Sequence, residues 1–306
     1  MYFNIICIIL LIIILVGIWY ILYIRSKNYQ KSKETYDLKP KIIMEQYKFN
    51  INFVSKSYIE QIIDDSNYFD RMNNINLLVR NVNSIPAYIK LYKDSVKDFS
   101  ENEKIILTEL CNSVDKYIRK SKKILNIEWK FAKVSSDIEN GWPHTLGDVI
   151  ILSPDFFIIK SPTQQLTTLL HEKIHVYQRL FPIETNKLFE KWNFKPALKF
   201  DNVQMARNNP DINDLVYAKD DKIFVQLYNS KTPNDIGDSQ PYIYNEDDKD
   251  HPINISQKDL DISKMASQYE HPNEIMATVI PKIIINDFDE KTDFFDAVKE
   301  WISKYL

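Results

Sequence analysis

Residues 161–180 read SPTQQLTTLLHEKIHVYQRL, and this stretch decides how the rest of the chain is read. Ser161 followed by Pro162 and Gln164 is the signature of a helix start: an N-cap hydroxyl, a proline at the first helical position and the closing residue of a capping box. Phe181-Pro182 marks the end. Within that helix His171 and His175 are four apart, so at ~100° per residue they lie on one face, roughly 40° apart around the axis. Both imidazoles can address one ion. Glu172 is offset by roughly 60–100°, so its carboxylate points beside such an ion rather than onto it. That is the position for a general base acting on a water that zinc polarises. Lys173 falls almost opposite the histidines, so its charge can face away. Leu166, Leu170 and Ile174 form an apolar stripe that would seat the helix on a core.

The two cysteines, Cys7 and Cys111, exclude a cysteine-rich metal site by count, so a metal must use histidine and carboxylate. Cys111 sits in an amphipathic segment and reads as a small buried hydrophobe. A net charge of -3 gives no electrostatic reason to expect a nucleic-acid partner.

The pentad His171-Glu172-Lys173-Ile174-His175 resembles that of the HExxH metallopeptidases of the zincin superfamily. The metzincin branch would continue with glycine at 178 and histidine at 181, where this chain has Gln178 and Phe181. The gluzincin branch takes a glutamate from a later helix, and Asn273-Glu274 in MASQYEHPNEIMATVI (265–280) is similar to its Asn-Glu pair. The resemblance implies Zn²⁺ on His171, His175 and Glu274, with Glu172 as catalytic base. His271, Glu270 and His251 stay open as third ligands. Ala277 and Thr278 depart from the family pattern, where serine and an aspartate that orients a ligand histidine are usual. Lys173 also departs, at a position usually uncharged. Candidate substrate or oxyanion contacts are His144, Tyr269, His251 and Arg207, the last able to meet a substrate carboxylate; Tyr242 and Tyr244 are weaker candidates. Phe156 and Phe157 read as core.

Outward from the motif, Ile127–Val134 alternates as a half-buried strand, and Asp148–Leu152 is a short apolar strand after a Gly147 turn. Val149–Ser153 is the candidate edge strand along which an extended peptide would add. Lys222–Tyr228 alternates again, while 229–251 reads as polar loop. Helices are expected over Pro272–Ile280 and Lys291–Leu306, and the stretch 55–123 is mostly helical, with a capping box at Ser100 and Glu103.

At the N-terminus, Ile5–Ile24 carries no charge and is long enough to cross a membrane. No basic residue precedes it and bulky residues end it, which disfavours a cleaved signal. Trp19, Tyr20 and Tyr23 suit the membrane boundary, and Arg25, Lys27, Lys31 and Lys33 place 25–306 on the cytoplasmic side, with the membrane itself, viral or intracellular, left open. An anchor followed by PHTLGD, HEKIH and NE is also similar to zincin-like proteins of large DNA viruses.

The expected organisation is a transmembrane anchor (1–25), a juxtamembrane linker (26–40), a helical region (41–125) and a zincin-like metallohydrolase domain (126–306). The fold class is α+β, with a small sheet with an edge strand, an active-site helix and C-terminal helices. The expected function is a membrane-anchored zinc metallopeptidase acting on peptide or protein substrates. A membrane-tethered binding or structural protein that keeps the fold without catalysis, and a zinc hydrolase of non-peptide substrates, are the alternatives.

Overall fold

The computed structural model describes residues 51–199, 203, 205–245, 253–254, 271–286 and 288–306. Asn50–Leu306 forms one compact unit. Its first sheet has four strands, β1 (Ile51–Phe53), β2 (Trp129–Lys133), β3 (His144–Leu146) and β4 (Val149–Leu152), in the order β1-β2-β4-β3. β1 runs parallel to β2 and β2 parallel to β4, while β3 is antiparallel to β4. A parallel sheet needs cover on both faces, and side-chain alternation supplies it. Phe131, Ile150 and Leu152 face a core that holds the motif helix, Pro162–Leu180. Ala132, Val149 and Ile151 face a second core, built on Tyr68, Phe69, Tyr88 and Tyr92 from the preceding helical segments. The continuous apolar run of β4 follows from burial on both sides.

The motif helix starts at the expected N-cap: the Ser161 hydroxyl accepts from Gln164 N at 3.2 Å, with Pro162 in the first turn, but the Gln164 side chain does not return the bond that would close a capping box. Leu169, Leu170, Ile174 and Tyr177 are fully buried. They pack with the helix Pro272–Asn286, through Ile275, Met276, Val279 and Ile280, and with the last helix, Asp293–Tyr305, through Phe295, Val298 and Trp301.

The second sheet is an antiparallel meander of β5 (Phe194–Lys199), β6 (Leu215–Lys219), β7 (Lys222–Tyr228), β8 (Ser239–Asn245) and β9 (Ile253–Asn254). Asp220 and Asp221, at φ of 51° and 60°, make the two-residue β6–β7 turn, the positive-φ pair a tight hairpin favours.

Several expectations are corrected. The fold is mixed α/β with two sheets, not an α+β domain with one small sheet: β1 and β2 pair in parallel across the intervening helices, and β8 occupies part of the segment read as loop. A transmembrane helix ahead of the fold is not supported, because no helix among the described residues is long and apolar enough to cross a membrane. Residues 5–24, where it was expected, lie outside them; an apolar run of sufficient length is a necessary condition for a span and no more. β3 is an edge strand of this sheet, and Val149–Ser153 is not. Gly147, at φ 57°, turns the chain after Leu146, so β4 is enclosed between β2 and β3.

Candidate metal centre

Helical spacing puts His171 and His175 together, and packing brings Glu274 to them from the first turn of Pro272–Asn286. The two Nε2 atoms are 3.0 Å apart, and Glu274 Oε2 lies 3.4 Å from His171 Nε2 and 3.5 Å from His175 Nε2. Three ligand atoms bound to one tetrahedral zinc at about 2.0–2.1 Å would be separated by roughly 3.3 Å. The donor triangle therefore has the size such an ion requires.

Two of the three donors, His175 and Glu274, are held by another group. His175 Nδ1 meets Gln178 Oε1 at 2.9 Å, which fixes the proton on Nδ1 and leaves the Nε2 lone pair for the cluster. Gln178 is itself oriented by donating to Asn273 O at 2.9 Å. Glu274 Oε1 accepts from Asn209 Nδ2 at 2.7 Å, while the buried Oε2, turned to the histidines, has no hydrogen-bond partner. Burial pushes the Glu274 carboxyl up, but His175 and His171 outweigh it and hold it well below the ordinary carboxylate range. Burial lowers His175, and the Glu274 and Asp211 charges more than reverse that. The Glu274 carboxylate and the His175 imidazole thus favour each other's charged forms.

Glu172 is buried beside the cluster, with Oε2 free of hydrogen bonds. Burial raises its carboxyl well above the ordinary value, and Asp211 and Glu274 add to the rise against Arg179. A cleft of about 370 Å³ opens here, lined among others by His171, Glu172, Glu274, Trp142, Arg207 and Thr278.

The remaining candidates sort by their contacts. His271, an alternative ligand, spends both ring nitrogens elsewhere, Nε2 on Leu215 O at 3.1 Å and Nδ1 on Asn273 N–H at 3.1 Å. Burial drives its pKa down to about 3. His144 lines the cleft, but its nitrogens are engaged with Tyr92 Oη and Trp142 O, at 2.5 and 2.8 Å. Arg207 lines the cleft as well. Tyr242 packs in the cluster of the second sheet. His251, Tyr269 and Glu270 lie outside the described residues.

In the segment 206–213 sequence reasoning singled out Arg207 but missed Asn209 and Asp211. Asn209 reaches Glu274, and Asp211 Oδ1 accepts from Thr145 N at 2.7 Å. Arg179, one turn beyond His175, donates to Thr145 O and Pro210 O at 3.4 and 2.8 Å, tying edge strand, segment and motif helix together. From behind, Asn76 Oδ1 accepts from Asn208 N at 2.8 Å, and Arg71 donates to Asn209 O at 3.2 Å. The run RNNPDIND (207–214) carries the composition of a turn, and beyond Arg207 nothing local marks its residues as part of a site. Comparison with protein-family models, with curated proteins and with solved structures gives no match, so the zincin resemblance rests on the chain's own residues.

Proposed function

We propose that the chain is a zinc-dependent peptidase with His171, His175 and Glu274 as metal ligands and Glu172 as general base. The observation that carries this is the donor triangle of 3.0, 3.4 and 3.5 Å beside a buried carboxylate with no hydrogen-bond partner. Two imidazoles and a carboxylate suit Zn²⁺, and the orphaned Glu274 Oε2 is the buried acceptor such an ion would satisfy. Bound zinc would supply Lewis acidity to a carbonyl oxygen and bring the pKa of water toward neutrality. Gln178 keeps His175 in the ligating tautomer, and Asn209 restrains Glu274 to one free oxygen. Glu172 takes a proton from the water that attacks the peptide carbonyl carbon and returns it to the departing amine nitrogen as the C–N bond breaks. The cleft wall of Thr167, Thr168 and Trp142 confines the substrate beside it.

The test is zinc stoichiometry and peptide hydrolysis on the full chain, with Glu172→Gln and Glu274→Ala. About one zinc per chain is expected, kept by Glu172→Gln and weakened by Glu274→Ala. Glu172→Gln should lower turnover by about a thousandfold, within the range of general-base catalysis. Folded protein that takes up no zinc, or Glu172→Gln that still turns over, would overturn the proposal.

A further inference from the structure

The cleft contains a cation that the proposed hydrolysis leaves unused. Arg207 lines it with His171, Glu172, Glu274 and Trp142. Its backbone is fixed, since its N–H donates to Gln226 O at 2.8 Å and the next residue, Asn208, is clamped by Asn76 and Tyr68. The guanidinium carbon sits 5.3 Å from the centroid of the Trp142 ring. That indole is 44% exposed.

The other arginines of this region are spoken for. Arg80 is paired with Glu139, and Arg179 donates to Thr145 and Pro210. Arg207 differs: its Nε is buried without an acceptor, and among the described residues its guanidinium forms no ion pair or hydrogen bond. Leaving buried donors unsatisfied is costly, and an arriving acceptor would recover that cost. A guanidinium resting against an aromatic ring keeps its in-plane N–H groups available, and their fork matches the two oxygens of a carboxylate.

We propose that Arg207 and Trp142 form a carboxylate-recognition subsite, so that the substrate is a peptide bearing a carboxylate at its C-terminus or on an acidic side chain. The inference rests on reading the cleft as the substrate cleft of a peptidase. Trp142 covers one face of the guanidinium and offers apolar surface to the residue that carries the anion.

The experiment measures binding, so it does not depend on turnover. Zinc-loaded full-length Glu172→Gln is titrated calorimetrically with three N-acetylated tetrapeptides of one neutral sequence. One ends in an amide, one in a free carboxylate, and one is an amide with a single glutamate inserted. At least one carboxylate peptide should bind about 10- to 100-fold more tightly than the neutral amide, as a charge-assisted hydrogen-bonded pair allows. Which one does so identifies the source of the anion. Adding Arg207→Gln should erase the advantage, and Arg207→Lys should restore part of it, with zinc content unchanged in both. Equal binding of the three peptides, no binding of any, or an advantage that survives Arg207→Gln would overturn the subsite. Failure of the peptidase reading looks different: wild-type protein hydrolyses none of the peptides while the discrimination persists.

Discussion

Replacing Glu139 by glutamine should cost about 3 kcal/mol at neutral pH, and the cost should shrink as the solution is acidified. Glu139 is 4% exposed and lies at the wall of the cleft in a left-handed conformation at φ 48°. Arg80 donates to it from Nε at 2.9 Å and from Nη2 at 2.7 Å. The Tyr68 and Tyr88 hydroxyls add bonds of 2.5 Å each. Burial pushes the carboxyl up, but the Arg80 charge and these bonds win and hold its pKa down to about 2, from 4.5. A folded value below the unfolded one means a contribution present above the unfolded pKa and lost as pH falls through the folded pKa. The difference corresponds to about 3 kcal/mol, of which about 1.4 is gone by about pH 3.5.

Glutamine resembles the protonated acid in shape and charge, so the variant should behave like wild-type protein at the acid limit. It also strands Arg80, whose side chain is 1% exposed, and breaking one side of a buried pair costs about 3–5 kcal/mol, in line with the first figure. The assay is urea unfolding of both proteins at about pH 7 and about pH 3.5, extrapolated to water. The gap should be about 3 kcal/mol at the higher pH and narrower by about 1.4 at the lower. A gap under about 1 kcal/mol, or one that does not change with pH, would refute this account.

Three further outcomes are expected. Lys173→Met leaves Asp115, 3.7 Å from the ammonium, buried without its cation; it should lose about 3–5 kcal/mol in thermal unfolding, most of it regained on adding Asp115→Leu. Asn209→Ala removes the 2.7 Å bond to Glu274 and should weaken zinc affinity about 10- to 100-fold in a chelator competition, the usual effect of removing a group that orients a ligand. Gly141→Ala places a methyl group against the Asp155 carboxylate at φ 71° and should cost about 1–3 kcal/mol by urea unfolding.

What the sequence revealed follows the range over which each signal acts. The motif helix was legible because its cap, its apolar stripe and its histidine spacing all lie within twenty consecutive residues. Glu274 was harder: the Asn-Glu pair favoured it but left His271, Glu270 and His251 open, and it is the packing of Pro272–Asn286 that brings Glu274 within 3.5 Å of both histidines while His271 bonds to Leu215 and Asn273. The three residues of β3 are too few to display alternation, so the apolar run of β4 passed for the edge. In the second sheet, Pro196 and Pro241 interrupt strand-like patterns. Pro196 is accommodated on the outer strand β5, where the register shifts between Pro196 and Leu198. In the segment 206–213, Asn209 and Asp211 were unreadable for a different reason. That segment gains its conformation from Asn76, 132 positions earlier than Asn208, and from Arg71.

Lys173 shows how a residue that counts against the motif in sequence can be neutral in structure. Its ammonium is buried to 1% exposure on the side of the helix turned from the histidines. There it donates to Ile127 O at 3.0 Å and lies 3.8 Å over the Trp129 ring, with Asp115 as counter-charge. Burial pulls its pKa down to about 8 against the attraction of Asp115. In an ordinary helix of this kind an apolar side chain would fill that space. Here an ion pair fills it, and the positive charge is met within the core rather than left to act on His171 and His175. What the helix requires at this position is a side chain whose charge, if any, is balanced on the core face. The cleft side of the helix is left to Thr167, Thr168, His171 and Glu172, with His175 beneath them against Glu274.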